Sequence, residues 1–146
     1  MEQIAPLIRE QLASGQAVRF SPRGVSMLPL LRQAKDKVEL SPLPQTLKPY
    51  DILFYQRPNG TYVLHRLIRV KKTMTCIGDH QFVYEYGVER DWCIGVVSAI
   101  YRGNKRYSVT HKGYLLYCRI WQATRPFRHL CHRVLNCIKR PFQKKF

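Results

Sequence analysis

Between Gly15 and about Thr110 the apolar residues fall in short β-branched or aromatic runs separated by turn residues, the pattern of β-strands. The runs cover residues 17–20, 37–40, 51–56, 61–70, 74–77, 94–101 and 106–109. Arg57-Pro58-Asn59-Gly60 and Arg102-Gly103-Asn104-Lys105 read as hairpin loops, since Asn and Gly tolerate positive φ, so most pairings are expected to be antiparallel. Pro42, Pro44 and Pro49 cannot donate to a ladder and mark a connection. Ahead of the strands, Ile4, Ile8 and Leu12 recur at helical spacing up to Ser14-Gly15, with Pro6 tolerable in a first turn. Behind them, an apolar segment from Tyr114 to Trp121 is broken at Pro126. Phe127, Leu130, Cys131, Val134, Leu135 and Ile138 then form one helical stripe. The expected architecture is mainly β: a coiled antiparallel sheet or barrel, with a short N-terminal helix and a basic amphipathic C-terminal helix. Residues 1–110 would form the β domain and 111–146 a helical extension.

A chain of 146 residues suits one cored domain. Residues 1–91 hold 13 Lys and Arg against all nine acids, whereas residues 92–146 hold 12 and no acid, so most of the net +16 lies in the last third. Such a block attracts nucleic acid or anionic lipid, and the sign does not choose between them. Arg125, Arg128, Arg133, Lys139 and Arg140 occupy the other faces of the apolar stripe. That helix lies on an anionic membrane surface, with Trp121, Phe127, Phe142 and Phe146 at the interface, docks on an acidic partner, or packs its stripe on the β domain. No run approaches the ~18 apolar residues needed to span a bilayer, and the N-terminus lacks the basic-then-apolar order of a secretory signal. Five irregularly spaced cysteines fit reduced thiols. The expected location is therefore cytoplasmic, with peripheral contact at the inner face of the membrane through the basic helix. No cofactor or metal is expected: His129, Cys131, His132 and Cys137 do not follow paired zinc-ligand spacing.

Three clusters exceed what folding alone needs. In Gly24-Val25-Ser26-Met27-Leu28-Pro29, glycine and proline bracket a serine on a bend, where its hydroxyl can meet a carbonyl while N–H groups around Gly24, Ser26 and Met27 receive an oxyanion. In Tyr62-Val63-Leu64-His65-Arg66-Leu67-Ile68, alternation puts His65 with Val63 and Leu67, and Arg66 opposite. Burial there keeps an imidazole neutral, the form that can accept a proton. In Ile77-Gly78-Asp79-His80, Asp79 follows a strand end and is a candidate to orient that imidazole.

In order and separation, the Ser26, His65-Arg66 and Gly78-Asp79 segments resemble the serine, general-base and Gly-Asp boxes of type I signal peptidases, whose wider clan includes LexA-like repressors. Pro49-Tyr50-Asp51-Ile52-Leu53 and Ile94-Gly95-Val96-Val97 are similar to two further boxes, with Tyr50 in place of a glycine. The resemblance covers about residues 18–101 and implies peptide-bond hydrolysis by Ser26. His65 stands where most bacterial members carry lysine and the endoplasmic-reticulum type carries histidine. Asp79 would be the supporting acid. Gly24 stands where many members have an oxyanion-holding serine, so backbone N–H groups would carry that role. The expected function is a serine endopeptidase acting on a leader peptide or a dedicated protein substrate, which requires Ser26 and His65 to meet within hydrogen-bond reach. Two other readings are a catalytically inactive docking module and a nucleic-acid-binding β-barrel stacking bases on Tyr50, Tyr55, Tyr62 and Phe82. Nucleic acid is the less favoured partner.

Overall fold

The computed structural model describes residues 4–139. Helix α1 (Ala5–Ala13) precedes strands β1 (Val18–Phe20), β2 (Asp36–Ser41), β3 (Ile52–Gln56), β4 (Tyr62–Val70), β5 (Met74–Ile77), β6 (Glu85–Val88), β7 (Cys93–Arg102) and β8 (Lys105–Ser108). Helices α2 (Lys112–Ala123) and α3 (Arg125–Lys139) follow. The strands form one antiparallel sheet in the order β1-β2-β7-β3-β4-β5-β6, with β8 paired to β7. It is open, not a closed barrel. Both hairpin loops form as expected, with Gly60 and Gly103 at positive φ. The strand at Glu85–Val88 is the addition: it is short, and Gly87 sits at φ 75°.

Strand alternation divides the core between the two faces. Ile52, Phe54 and Leu64 pack on one face with Ile8 and Leu12 of α1 and with Met27, Leu30 and Leu31 of the Ser26 loop. Leu53, Tyr55, Val63 and Leu67 pack on the other with Met74, Cys76 and Val88. Met27 and Leu31 thus anchor the loop between β1 and β2 by burial. Polar ties fix its far end: Asp36 accepts from the Arg32 backbone and guanidinium at 2.9–3.2 Å, and Arg102 donates to the Leu30 carbonyl at 2.7 Å.

Strand β4 changes partner along its length. On one edge Tyr62–Arg66 pair with β3; on the other, only Arg66–Val70 pair with β5. The β5-side edge of Tyr62–His65 therefore has no strand against it among the described residues.

Where β5 ends, Ile77 pairs with Arg66, and the register carries Asp79 to the Arg66 side chain. The two form a fully buried bidentate ion pair, Nε–Oδ1 at 2.8 Å and Nη2–Oδ2 at 2.7 Å. Helix α2 closes over it. Arg66 Nη1 donates to the Tyr114 hydroxyl at 2.7 Å and contacts Cys118 Sγ at 2.8 Å, and Trp121 Nε1 donates to the Asp79 carbonyl at 3.0 Å. Removing one partner of such a pair strands a buried charge. Asp79→Ala is expected to lower unfolding free energy by about 3–5 kcal/mol, measured by urea denaturation.

Candidate active site

A cleft of about 220 Å³ is lined by Gly24, Ser26 and Met27 of the loop, by Tyr62, Val63, Leu64 and His65 of β4, and by Arg57 and Gln81. Ser26 and His65, 39 positions apart, therefore open into one space. No hydrogen bond joins them: the Ser26 hydroxyl has no hydrogen-bond partner among the described residues, so the direct Ser26–His65 bond expected from sequence is not formed.

The Ser26 loop is seated on the turn after β5. His80 N–H donates to the Ser26 carbonyl at 2.8 Å. Gly78 lies so close that a Cβ there would stand 2.6 Å from the same carbonyl oxygen, which explains a glycine before Asp79. Of the candidate oxyanion donors, Gly24 N–H is already committed to Gln33 Oε1 at 3.0 Å. The Ser26 and Met27 N–H groups have no protein partner among the described residues. The oxyanion assignment thus narrows to those two.

The imidazole is held from behind. His65 Nδ1 lies 3.2 Å from the Tyr55 hydroxyl and 3.3 Å from Glu85 Oε2. Tyr55 donates to Glu85 Oε2 at 2.7 Å, and Arg57 grips both Glu85 oxygens at 2.7 Å. Burial opposes ionisation of Glu85, but the bonds from Arg57 and Tyr55 prevail and hold its carboxyl below the usual range. An ionised carboxylate only accepts, and the Tyr55 proton already goes to it. The hydrogen between His65 and this pair must therefore come from Nδ1, leaving the lone pair on Nε2. Nε2 has no protein partner among the described residues, and the ring lines the cleft. Burial pushes the His65 pKa down to about 4, against the opposing pull of Glu85, so the ring is neutral at pH 7.

This corrects the assignment of Asp79. Its carboxylate is spent on Arg66, with Tyr117 adding a hydroxyl at 3.4 Å, and it makes no hydrogen bond to His65. The physical reason is alternation: Arg66, not His65, points to the face where the β5 turn delivers Asp79. The acid behind His65 is Glu85, which sequence reasoning missed. Glu85 sits on the short strand that escaped recognition, and it reaches His65 only because β6 pairs beyond β5.

Three of the residues assigned to base stacking already pack within the chain. Tyr55 is fully buried, and Phe82 meets the rings of His129 and His132 at centroid distances of 4.9 and 5.2 Å. Tyr62 stacks on Phe54 at 5.9 Å. No group of three or more potential metal ligands occurs among the described residues. Comparisons with protein-family models, curated proteins and solved structures find no match to this chain.

Nuclear magnetic resonance of ¹⁵N-labelled His65 is expected to show a proton on Nδ1, none on Nε2 above pH 5, and titration near pH 4. A histidine whose folded-state pKa lies below its unfolded value near ~6.5 favours the fold fully above that value. As pH falls from there to about 4, the unfolded chain takes up a proton that the folded ring refuses. Thermal stability should therefore decline across that window, with a smaller decline in His65→Gln.

Proposed function

We propose that this protein is a serine endopeptidase of the signal peptidase/LexA-like type, with Ser26 as nucleophile, His65 as general base and Glu85 as the acid that orients it. The observation that carries the reading is the fixed state of His65: neutral, anchored through Nδ1, and sharing a cleft with Ser26. The resemblance of the Ser26, His65 and Gly78-Asp79 segments supports the same assignment.

In the proposed reaction a substrate strand lies along the unpaired edge at Tyr62–His65, where backbone N–H and C=O groups can extend the sheet. Ser26 Oγ attacks the scissile carbonyl as its proton passes to His65 Nε2. The Ser26 and Met27 N–H groups receive the oxyanion. Glu85, negative and 3.3 Å from Nδ1, stabilises the imidazolium, which then protonates the leaving amine. Water attacks the acyl-enzyme by the same route in reverse. Hydrogen bonds between nucleophile and base are commonly long in substrate-free sites and shorten when substrate excludes water, so the open Ser26–His65 contact is compatible with this scheme. Asp79 takes a positioning role: it holds Arg66, and its neighbours Gly78 and His80 seat the Ser26 loop.

The same open contact favours a second reading, a peptide-binding module that retains the groove without the chemistry. A serine-directed fluorophosphonate probe separates the two. Phosphonylation of Ser26, with loss of fluoride from the probe, that is abolished in Ser26→Ala and His65→Ala supports the peptidase; unlabelled protein that still binds extended peptides supports the module. For the active protein, Glu85→Gln is expected to lower kcat by about 10²–10⁴-fold, because the amide no longer enforces the Nδ1-protonated tautomer. The acid limb of the rate profile should fall near pH 4, not near 6.5, as followed by peptide cleavage.

A further inference from the structure

We infer that the α2–α3 segment binds the surface of an anionic lipid bilayer through an apolar ridge that the fold leaves facing outward. Amphipathic helices in small domains ordinarily turn the apolar stripe to the core. Helix α3 does the opposite. Arg125 is buried and donates to the carbonyls of Gly78 and Gln81. Arg128 donates to the Trp121 carbonyl at 2.6 Å and lies 3.6 Å over the Trp121 ring. His129 and His132 rest on Phe82. The charged and imidazole side is therefore the docked side, while Phe127 (69% exposed), Leu130, Val134 and Leu135 face outward. The alternative expected from sequence, a stripe packed on the β domain, is not what forms.

Helix α2 also exposes apolar side chains. The two helices meet at Thr124, where the last bond of α2 (Thr124 N to Ile120 O, 2.9 Å) gives way to the first of α3 (Arg128 N to Thr124 O, 3.0 Å). At 100° per residue, Phe127, Leu130 and Val134 share one face of α3, and Leu116 and Ile120 share one face of α2. Leu116 and Ile120 are 58% and 54% exposed. On α3 the exposed apolar side chains from Phe127 to Leu135 extend over roughly 12 Å at 1.5 Å per residue. Trp121 is not part of the ridge, because its ring is turned inward against Arg128 and Tyr117. Phe142, Phe146 and the side chain of Ile138 lie outside the described residues.

Charge selects the occupant. Lys112, Arg119 and Arg133 are exposed on the same two helices, and the sequence beyond α3 adds Arg140, Lys144 and Lys145. No acid occurs after Asp91. A second copy of the chain would bring the same positive field to the contact, which opposes self-association. A bilayer with anionic head groups offers both an apolar layer for the ridge and negative charge for these cations. Among the described residues no helix is long and apolar enough to cross a membrane, so the expected contact is interfacial.

The inference is independent of the peptidase reading, and the test uses the full-length Ser26→Ala protein beside the unsubstituted one. Both are floated with vesicles of phosphatidylcholine containing about 30% phosphatidylserine, and with phosphatidylcholine alone. Expected are co-flotation with the anionic vesicles, at least tenfold weaker binding to the neutral ones, and release by about 0.5 M salt. Leu130→Glu/Val134→Glu should reduce binding about tenfold with no change in Tm, since both side chains are exposed. Arg119→Ala/Arg133→Ala should weaken anionic binding selectively. Equal binding to neutral vesicles, binding unaffected by both double substitutions, or a dimer that the Leu130→Glu/Val134→Glu change dissociates would overturn it.

Discussion

The buried pair of Arg66 and Asp79 is the constraint around which the rest is arranged. It joins the middle of β4 to the turn after β5, and that turn both receives the Ser26 loop and is capped by α2. Two ions in an apolar interior are tolerable only when every donor and acceptor is met, and here five groups besides the pair contribute. The Tyr50 carbonyl, the Tyr114 hydroxyl and Cys118 Sγ surround the guanidinium; the Tyr117 hydroxyl and the Trp121 indole address Asp79. Four of those five come from side chains of α2, in the pairs Tyr114/Cys118 and Tyr117/Trp121 one helical turn apart. The helix that follows the sheet is thus part of how the sheet keeps its central charge.

Adjacent residues on β4 serve two networks on opposite faces. Arg66 belongs to the structural one; His65 belongs to Tyr55, Glu85 and Arg57. Each network has its own acid and its own cation, and the sheet separates them. A single-residue slip of register would exchange the faces and leave both histidine and arginine against the wrong partners. The functional reading of the cleft therefore depends on pairing that the Arg66–Ile77 register and the Arg66–Asp79 bridge fix together.

Much of the sheet was legible in the chain because each long strand carries its own alternation and both hairpins carry a Gly where positive φ is needed. The strand at Glu85–Val88 was not, since four residues with a glycine at φ 75° give no period to read. Ser26 and His65 were visible as side chains out of keeping with their surroundings, and the structure brings both to one cleft. The identity of the supporting acid was not visible. Asp79 follows a strand and looks placed for the role, but which neighbour receives it is decided by the facing of β4, and Glu85 has no local feature that sets it apart. Likewise the α3 stripe was plain in the sequence, whereas its direction was set by tertiary contacts of Arg125, Arg128, His129 and His132.

Cys118 Sγ, seated against the Arg66 guanidinium under α2, gives the molecule an internal clock. Burial raises its thiol pKa, as it does for Cys76 and Cys93, which rise to about 12 and 11, while Cys131 stands exposed on α3. Alkylation of Cys118 requires the helix to lift from the ion pair, so its rate relative to Cys131 reads how often the lid over Arg66 opens. Cys76 and Cys93, inside the sheet, time the slower opening of the strands themselves.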